Sequence, residues 1–235
     1  MRKIEVCLSP ELIHLHQLEG KVIVVLDVLR ATSCIVTGLA HKVASITPVA
    51  SLEKCRSMKQ QGYYIAGERD GHKVDGFDLG NSPFSYMEEF LKGQKIAMTT
   101  TNGTFAIEKS RSAEDIIIGS FLNIQSVVRF LKNHQNDALL VCSGWRGHIS
   151  LEDSICAGSI VEDLKDDFQT DGDTSIAAKA LIKAADGDLI SFLSDSSHVQ
   201  RLQNLNVKED IEFCLTPNQY DVLPILDGDQ LVSLE

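Results

Sequence analysis

The 235-residue chain has no stretch approaching the ~18–20 apolar residues that a membrane-spanning helix needs. Its amino end, Met1-Arg2-Lys3-Ile4-Glu5-Val6, lacks the apolar core of a secretory signal. Positive charge is in short supply: 22 Lys and Arg face 33 Asp and Glu, for a net charge of −11. A chain this acidic is not built to bind nucleic acid through its phosphates or to lie on an anionic membrane. If its ligand is an anion, a local group of arginines must overcome the global field. Cysteine occurs six times but never as Cys-x-x-Cys, and no Cys/His group has the spacing of a zinc site. Cys142 and Cys156 sit in apolar runs, which reads as buried free thiols in a reducing, cytoplasmic setting. His14-x-His16 is an isolated pair. Internal repeats, low-complexity tracts, the G-x-G-x-x-G and Walker patterns and the G-x-S-x-G elbow are all missing.

What remains is an alternation of apolar strands and helix signals. Lys21–Val28 holds five consecutive β-branched or leucine residues, the mark of a strand buried on both faces, and Asp27 and Arg30 mark its carboxyl end. Further strands are predicted over 43–48, 63–66, 95–99, 115–118, 138–142, 211–215 and 222–225. Helices are predicted over 31–40, 52–61, 83–92, 124–133, 150–165, 174–185 and 188–193. The glycine-bearing stretches 70–82 and 169–173 read as loops. This order predicts an α/β fold, a layered α/β/α arrangement with a mainly parallel or mixed central sheet. Residues 1–235 form one domain or two closely packed α/β lobes. Ligands of such sheets gather beyond the carboxyl ends of the strands.

Applied to this chain, that rule collects Asp27 with Arg30, Glu68 with Arg69, Thr100 to Thr104, and Ser143-Gly144 followed by Arg146. The loop adds Asp75, Asp78 and Asn81, and the start of the 150–165 helix adds Glu152 and Asp153. Carboxylates suit a hard cation such as Mg²⁺, and guanidinium forks suit phosphate or sulfonate. Thr100-Thr101-Asn102-Gly103-Thr104 offers hydroxyls and backbone N–H groups at the start of a helix, a place for a phosphate. Each piece also has a plainer reading. Asp27 and Arg30 could be a structural ion pair, Glu68-Arg69 a solvated loop, Thr100 to Thr104 an ordinary turn, and Glu152-Asp153 a pairing with the helix dipole. Together the residues describe an anion-handling α/β enzyme, with or without a divalent metal.

Several segments in series resemble the 2-phosphosulfolactate phosphatase (ComB-like) family. They are Asp27-Val28-Leu29-Arg30-Ala31-Thr32-Ser33, Gly67-Glu68-Arg69, Gly76-Phe77-Asp78-Leu79-Gly80-Asn81-Ser82-Pro83 and Thr99-Thr100-Thr101-Asn102-Gly103-Thr104. Gly119-Ser120-Phe121-Leu122-Asn123 and Ser150-Leu151-Glu152-Asp153 with Ala157-Gly158 continue the series, and the tail segments Ser197-His198, Arg201-Leu202, Asp210-Ile211-Glu212 and Val222-Leu223-Pro224 are similar too. Trp145-Arg146-Gly147-His148 departs from the family pattern. The resemblance implies Mg²⁺-dependent hydrolysis of 2-phospho-3-sulfolactate to sulfolactate and phosphate, a step on the route to coenzyme M in some organisms. Other small phospho-acids, or anion binding without catalysis, are the alternatives.

On that reading Asp27, Arg30, Glu68 and Arg69 are catalytic, and Asp27, Asp78, Glu152 and Asp153 form the metal set. Thr101, Asn102, Gly103, Thr104, Ser33, Asn81 and Arg146 contact the substrate, with Arg146 holding its sulfonate or carboxylate. The nucleophile is either Asp27 or a metal-activated water. Leu29 stands where haloacid-dehalogenase phosphatases carry a second Asp. His148 and His198 are proton donors or structural residues. A homodimer is the default for a soluble enzyme of this kind.

Overall fold

The computed structural model describes residues 1–205 and 207–234. Strand β1 (Arg2–Cys7) leads through a 3-10 turn to β2 (Lys21–Leu26) and helix α1 (Ala31–Ala40). Next come β3 (Ser45–Pro48), α2 (Leu52–Met58), β4 (Tyr64–Arg69), β5 (His72–Lys73), β6 (Lys95–Thr99) and α3 (Gly103–Lys109). They are followed by β7 (Asp115–Gly119), α4 (Ile124–Asn133), β8 (Asp137–Cys142), α5 (Leu151–Asp163) and β9 (Phe168–Thr170). Four helices, α6 (Asp173–Ala185), α7 (Leu189–Leu193), α8 (Ser197–Gln203) and α9 (Lys208–Cys214), precede the hairpin β10 (Leu223–Asp227) and β11 (Gln230–Leu234).

The strands form one mixed sheet in the order β5-β4-β6-β3-β11-β10-β7-β2-β8-β1-β9, flanked by helices. Strands β7, β2, β8, β1 and β9 are mutually parallel, as are β3, β6 and β4. The β10–β11 hairpin runs antiparallel to β7 on one side and to β3 on the other, and so joins two parallel groups into one sheet.

Strand β2 is buried on both faces, as its unbroken apolar run predicts. Val22, Val24 and Leu26 pack with residues of α4 and α5, whereas Ile23 and Val25 pack with α1. That second core also takes Ile46 from β3, Met98 from β6, Val141 from β8 and Leu231 from β11. Both parallel groups therefore close on one core, and the sheet must curl around α1. A flat sheet would hold β6 and β2 five strand spacings apart, about 24 Å. Yet a Cβ placed on Gly103, just past β6, would lie 2.8 Å from Asp27 Oδ2, just past β2. The curl is what brings distant strand ends to one place.

Four local expectations change. The 83–92 segment is two 3-10 turns, Pro83–Tyr86 and Glu89–Leu91, rather than one helix. Tyr86 enters the core while Phe84 meets the Phe213 ring. On an α-helix those two residues would point about 200° apart, but Phe90 would fall beside Tyr86 in the core. Phe90 instead packs outward on Tyr64. Residues 168–170 are a polar edge strand pairing with β1, not a loop. Residues 211–215 belong to α9 and its cap, because Val207, Ile211 and Cys214 sit on one helical face. Glu68 and Arg69 are the last residues of β4 rather than a loop. All six cysteines are free and buried, as expected. Among the described residues no helix is long and apolar enough to cross a membrane.

Candidate active site

Asp27 directly follows β2 and is 8% exposed. Its Oδ1 accepts the Ala31 N–H at 3.2 Å, which ties the carboxylate to the first residue of α1. Its Oδ2 packs against Gly103. Burial raises the Asp27 carboxyl to about 6. The Ala31 N–H and the charge of His198 pull it down, and the Glu68 and Glu152 carboxylates push it up.

Glu68 reaches the same place from the end of β4. Its Oε1 accepts from Thr101 N at 3.1 Å and from Thr101 Oγ1 at 2.7 Å, and its Oε2 accepts from Gly71 N at 2.7 Å. This carboxylate fixes both the loop after β6 and the turn after β4. Three of the backbone amides expected to cradle a phosphate are engaged within the protein. Thr101 N is spent on Glu68, Thr100 N donates to Thr104 Oγ1, and Thr104 N donates to Thr100 Oγ1. Thr101 and Asn102 line the cavity, whereas Thr104 turns inward to close the loop.

Ser150 caps α5 by accepting from Asp153 N, which sets Glu152 and Asp153 in the first turn. Asp153 Oδ1 accepts from Val28 N at 2.8 Å and its Oδ2 from Gly144 N at 3.2 Å, so it joins the strand ends of β2 and β8. Burial, with the Glu152 and Asp27 carboxylates nearby, pushes the Asp153 carboxyl well up. Glu152 Oε1 meets His198 Nδ1 at 2.5 Å. Burial presses the Glu152 carboxyl upward, but the hydrogen bond and charge of His198 outweigh it and hold it below the usual range. Glu152 Oε2 is buried without a partner.

Arg30 does not pair with Asp27. Its guanidinium is 3% exposed, forms an ion pair with Asp210 of α9 and donates to Gly71 O at 3.2 Å. Asp210 in turn accepts from Ser82 Oγ at 2.9 Å. A polar pocket opens above these groups. Of the anticipated residues, Asp27, Arg30, Glu68, Asn81, Thr101 and Asn102 line it. Gly71, Trp145, His198 and Arg201 line it as well. Gly71 was not anticipated, and Trp145 and Arg201 carried no functional role. Arg30 Nε, Arg201 Nε and Asn81 Oδ1 are buried there without partners. Buried polar atoms are normally satisfied, so orphans of both polarities in one cavity mark a place for a polar ligand.

Other anticipated residues stand elsewhere. Asp78 bonds Ile65 N at 3.0 Å and Lys59 Nζ at 2.6 Å. Ile65 is three residues before Glu68, about 10 Å along the strand, so Asp78 serves the wrong end of β4. Arg69 is committed to Glu68 O, Thr99 O and Thr99 Oγ1. Ser33 donates to Val28 O inside α1's first turn. Arg146 is exposed, and pairs with Asp70 at 2.5 Å. Among the described residues no three Asp, Glu, His or Cys side chains form a ready cation cage.

A family profile described as 2-phosphosulpholactate phosphatase matches residues 7–229. A probable 2-phosphosulfolactate phosphatase of Thermotoga maritima is 44% identical over 208 residues, covering 88% of this chain and 90% of the relative. One from Caldanaerobacter subterraneus subsp. tengcongensis is 40% identical over 217 residues, 90% of each chain. One from Clostridium perfringens is 36% identical over 240 residues, 99% of this chain and 97% of the relative.

Proposed function

The chain belongs to the 2-phosphosulfolactate phosphatase family, a family of phosphoric monoester hydrolases, and on that footing we propose that it hydrolyses 2-phosphosulfolactate to sulfolactate and phosphate with Mg²⁺. The observation that carries this reading is the convergence of Asp27, Glu68, Arg30, Thr101 and Asn102 on one polar cavity from strand ends far apart in the chain.

The residues present fit a divalent cation. Asp27 and Asp153 are buried carboxylates whose proton affinity is raised by burial and by neighbouring carboxylates, Glu152 among them, and a cation relieves that repulsion. Asp27 Oδ2 and the orphan Glu152 Oε2 are the oxygens left to hold it. Mg²⁺ keeps several waters and needs only one or two carboxylates, so a three-residue cage is not required. Bound there, it supplies neutralisation of phosphoryl charge. Asp153 acts from behind, through its two backbone bonds, by holding the strand ends in place.

Arg30 is held by Asp210 and Gly71 O with its Nε directed to no protein acceptor, and it binds a phosphoryl oxygen. The Asn102 side chain adds a neutral donor. His198 is oriented through Nδ1 by Glu152, which leaves Nε2 to pass a proton to the departing oxygen. Asp27 either attacks phosphorus, expelling the ester oxygen and later being displaced from phosphorus by water, or holds the cation while water attacks directly. Stereochemistry at an isotopically chiral phosphoryl group distinguishes the two, because two displacements retain configuration and one inverts it.

Two measurements test this reading. Phosphate release from 2-phosphosulfolactate is expected with Mg²⁺, to stop when a chelator is added and to return when Mg²⁺ is restored in excess. Release unchanged by chelation removes the cation from the reaction, and no release from any phosphate ester removes the activity. The second concerns Gly103. The added methyl of Gly103→Ala would meet Asp27 Oδ2 and Ala31 Cβ at 2.8 Å each. It must displace the carboxylate, and kcat/KM is expected to fall roughly 10–100-fold, because misplacing a reacting group by about 1 Å costs that much. Full activity in this variant would mean that the Asp27–Gly103 contact does not matter to catalysis.

A further inference from the structure

We propose that Arg201 receives the second anionic group of the substrate, the one that is not transferred; this rests on the phosphatase reading above. The four arginines near the cavity differ in what they already hold. Arg30 is paired with Asp210. Arg69 donates to Glu68 O, Thr99 O and Thr99 Oγ1. Arg146, the arginine expected to bind the sulfonate, is paired with Asp70 and more than half exposed. Arg201 lines the cavity, and among the described residues no carboxylate pairs with it.

Its surroundings hold it ready. The guanidinium lies 4.9 Å from the centre of the Trp145 ring, an attraction that fixes the plane without consuming its N–H donors. Its Nε is buried without a hydrogen-bond partner. A pre-oriented fork with unused donors and no counter-charge is the group that a sulfonate or carboxylate completes.

Position supports the same assignment. Trp145, His198 and Arg201 line both the inner pocket and an adjoining open cleft. Arg201 thus stands at the junction, while Asp27, Glu68 and Thr101 line only the inner cavity. A small phosphoester with its phosphoryl group inward would direct its other anion to the junction.

Arg201→Met keeps the stem and removes the charge; Arg201→Lys keeps the charge and removes the fork. Kinetics are compared on 2-phosphosulfolactate and on p-nitrophenyl phosphate, which has no second anion. In Arg201→Met, KM for phosphosulfolactate is expected to rise about 10–100-fold, the value of one charged hydrogen-bonded contact. For p-nitrophenyl phosphate, kcat/KM should stay within about threefold by the same reasoning. Arg201→Lys should recover part of the loss, and sulfolactate should inhibit the unaltered protein but not Arg201→Met. Equal losses on both esters would assign Arg201 to the phosphoryl group or the fold, and an unchanged KM would assign the anion elsewhere; either overturns the inference. If the unaltered protein hydrolyses neither ester, the phosphatase reading fails, and calorimetry decides Arg201 separately. Loss of sulfolactate binding in Arg201→Met with inorganic phosphate binding retained would uphold it, and any other pattern would end it.

Discussion

Asp27→Asn is expected to lower kcat/KM roughly a thousandfold or more while the protein stays folded. The substitution keeps the shape of the side chain and the oxygen that accepts the Ala31 N–H. It removes the negative charge of a carboxylate proposed to hold the cation, and it also removes the nucleophile if Asp27 is the attacking group. Stability should respond in the opposite sense. The folded-state value of about 6 lies above the ordinary value of 3.8, chiefly because of burial. The folded protein therefore binds this proton more tightly than the unfolded chain does. Asp27 contributes its stability below the ordinary value, and that contribution is lost as pH rises through about 6. At pH 7.5 in a chelator, Asp27→Asn should match or exceed the unaltered protein, by on the order of 1–3 kcal/mol. The difference should shrink towards pH 5. Urea melts at both pH values, together with the kinetic assay, provide the check. Near-normal turnover in Asp27→Asn would remove this carboxylate from the reaction.

The parts of the site that were legible in the sequence share one property. Asp27, Glu68 and Thr101 each follow or end a continuous apolar strand, so the strand-end rule finds them without knowledge of which strands are neighbours. What the rule misses is contributed by helices. His198, Arg201 and Leu202 all line the cavity because positions i, i+3 and i+4 share a face of α8. That spacing, preceded by the N-cap Ser196, is the signal that could have identified them together. Nothing local indicates that α8 lies over the ends of β2, β4 and β6. Asp210 was concealed differently. Ile211 to Leu215 has the residue types of a strand, and a short apolar run does not fix its own period. Tertiary packing of Ile211, Cys214 and Leu215 settles it as a helix and delivers Asp210 to Arg30.

Asp78 failed for a reason that concerns register. The loop 75–81 carries two glycines and two carboxylates, which placed Asp78 in the metal set. In the fold, Leu79 bridges Ala66, so the segment runs alongside β4. Only its far end, at Asn81, arrives at the cavity. The plain reading of Asp27 with Arg30 failed too, since each has another partner. Two oppositely charged residues three apart were not a pair but two separate parts of one site. The sheet order was beyond reach from the chain alone, because the hairpin that joins the two parallel groups is the last pair of strands.

Gly158→Ala should be the most damaging small substitution to stability outside the cavity. A Cβ at Gly158 would lie 2.1 Å from Ala178 O and 2.6 Å from Ala178 C, with Lys179 N at 3.2 Å. These are backbone atoms of α6, so no side chain can swing away, and the two helices must separate. Glycine inside a helix costs about 1 kcal/mol relative to alanine, so on propensity alone the change would stabilise. The clash outweighs that gain, because overpacking costs typically 1–3 kcal/mol and more where backbone must move. A net loss of about 2 kcal/mol is expected, read as a lower urea midpoint at unchanged slope. Activity at low temperature should fall much less. Glu152 and Asp153 occupy the other end of α5, and Asp153 is anchored to Val28 and Gly144 independently of α6. A raised midpoint would mean that α5 and α6 have room between them. An inactive but stable variant would mean that the α5–α6 contact sets the position of the carboxylates, and would place α6 among the elements that build the site.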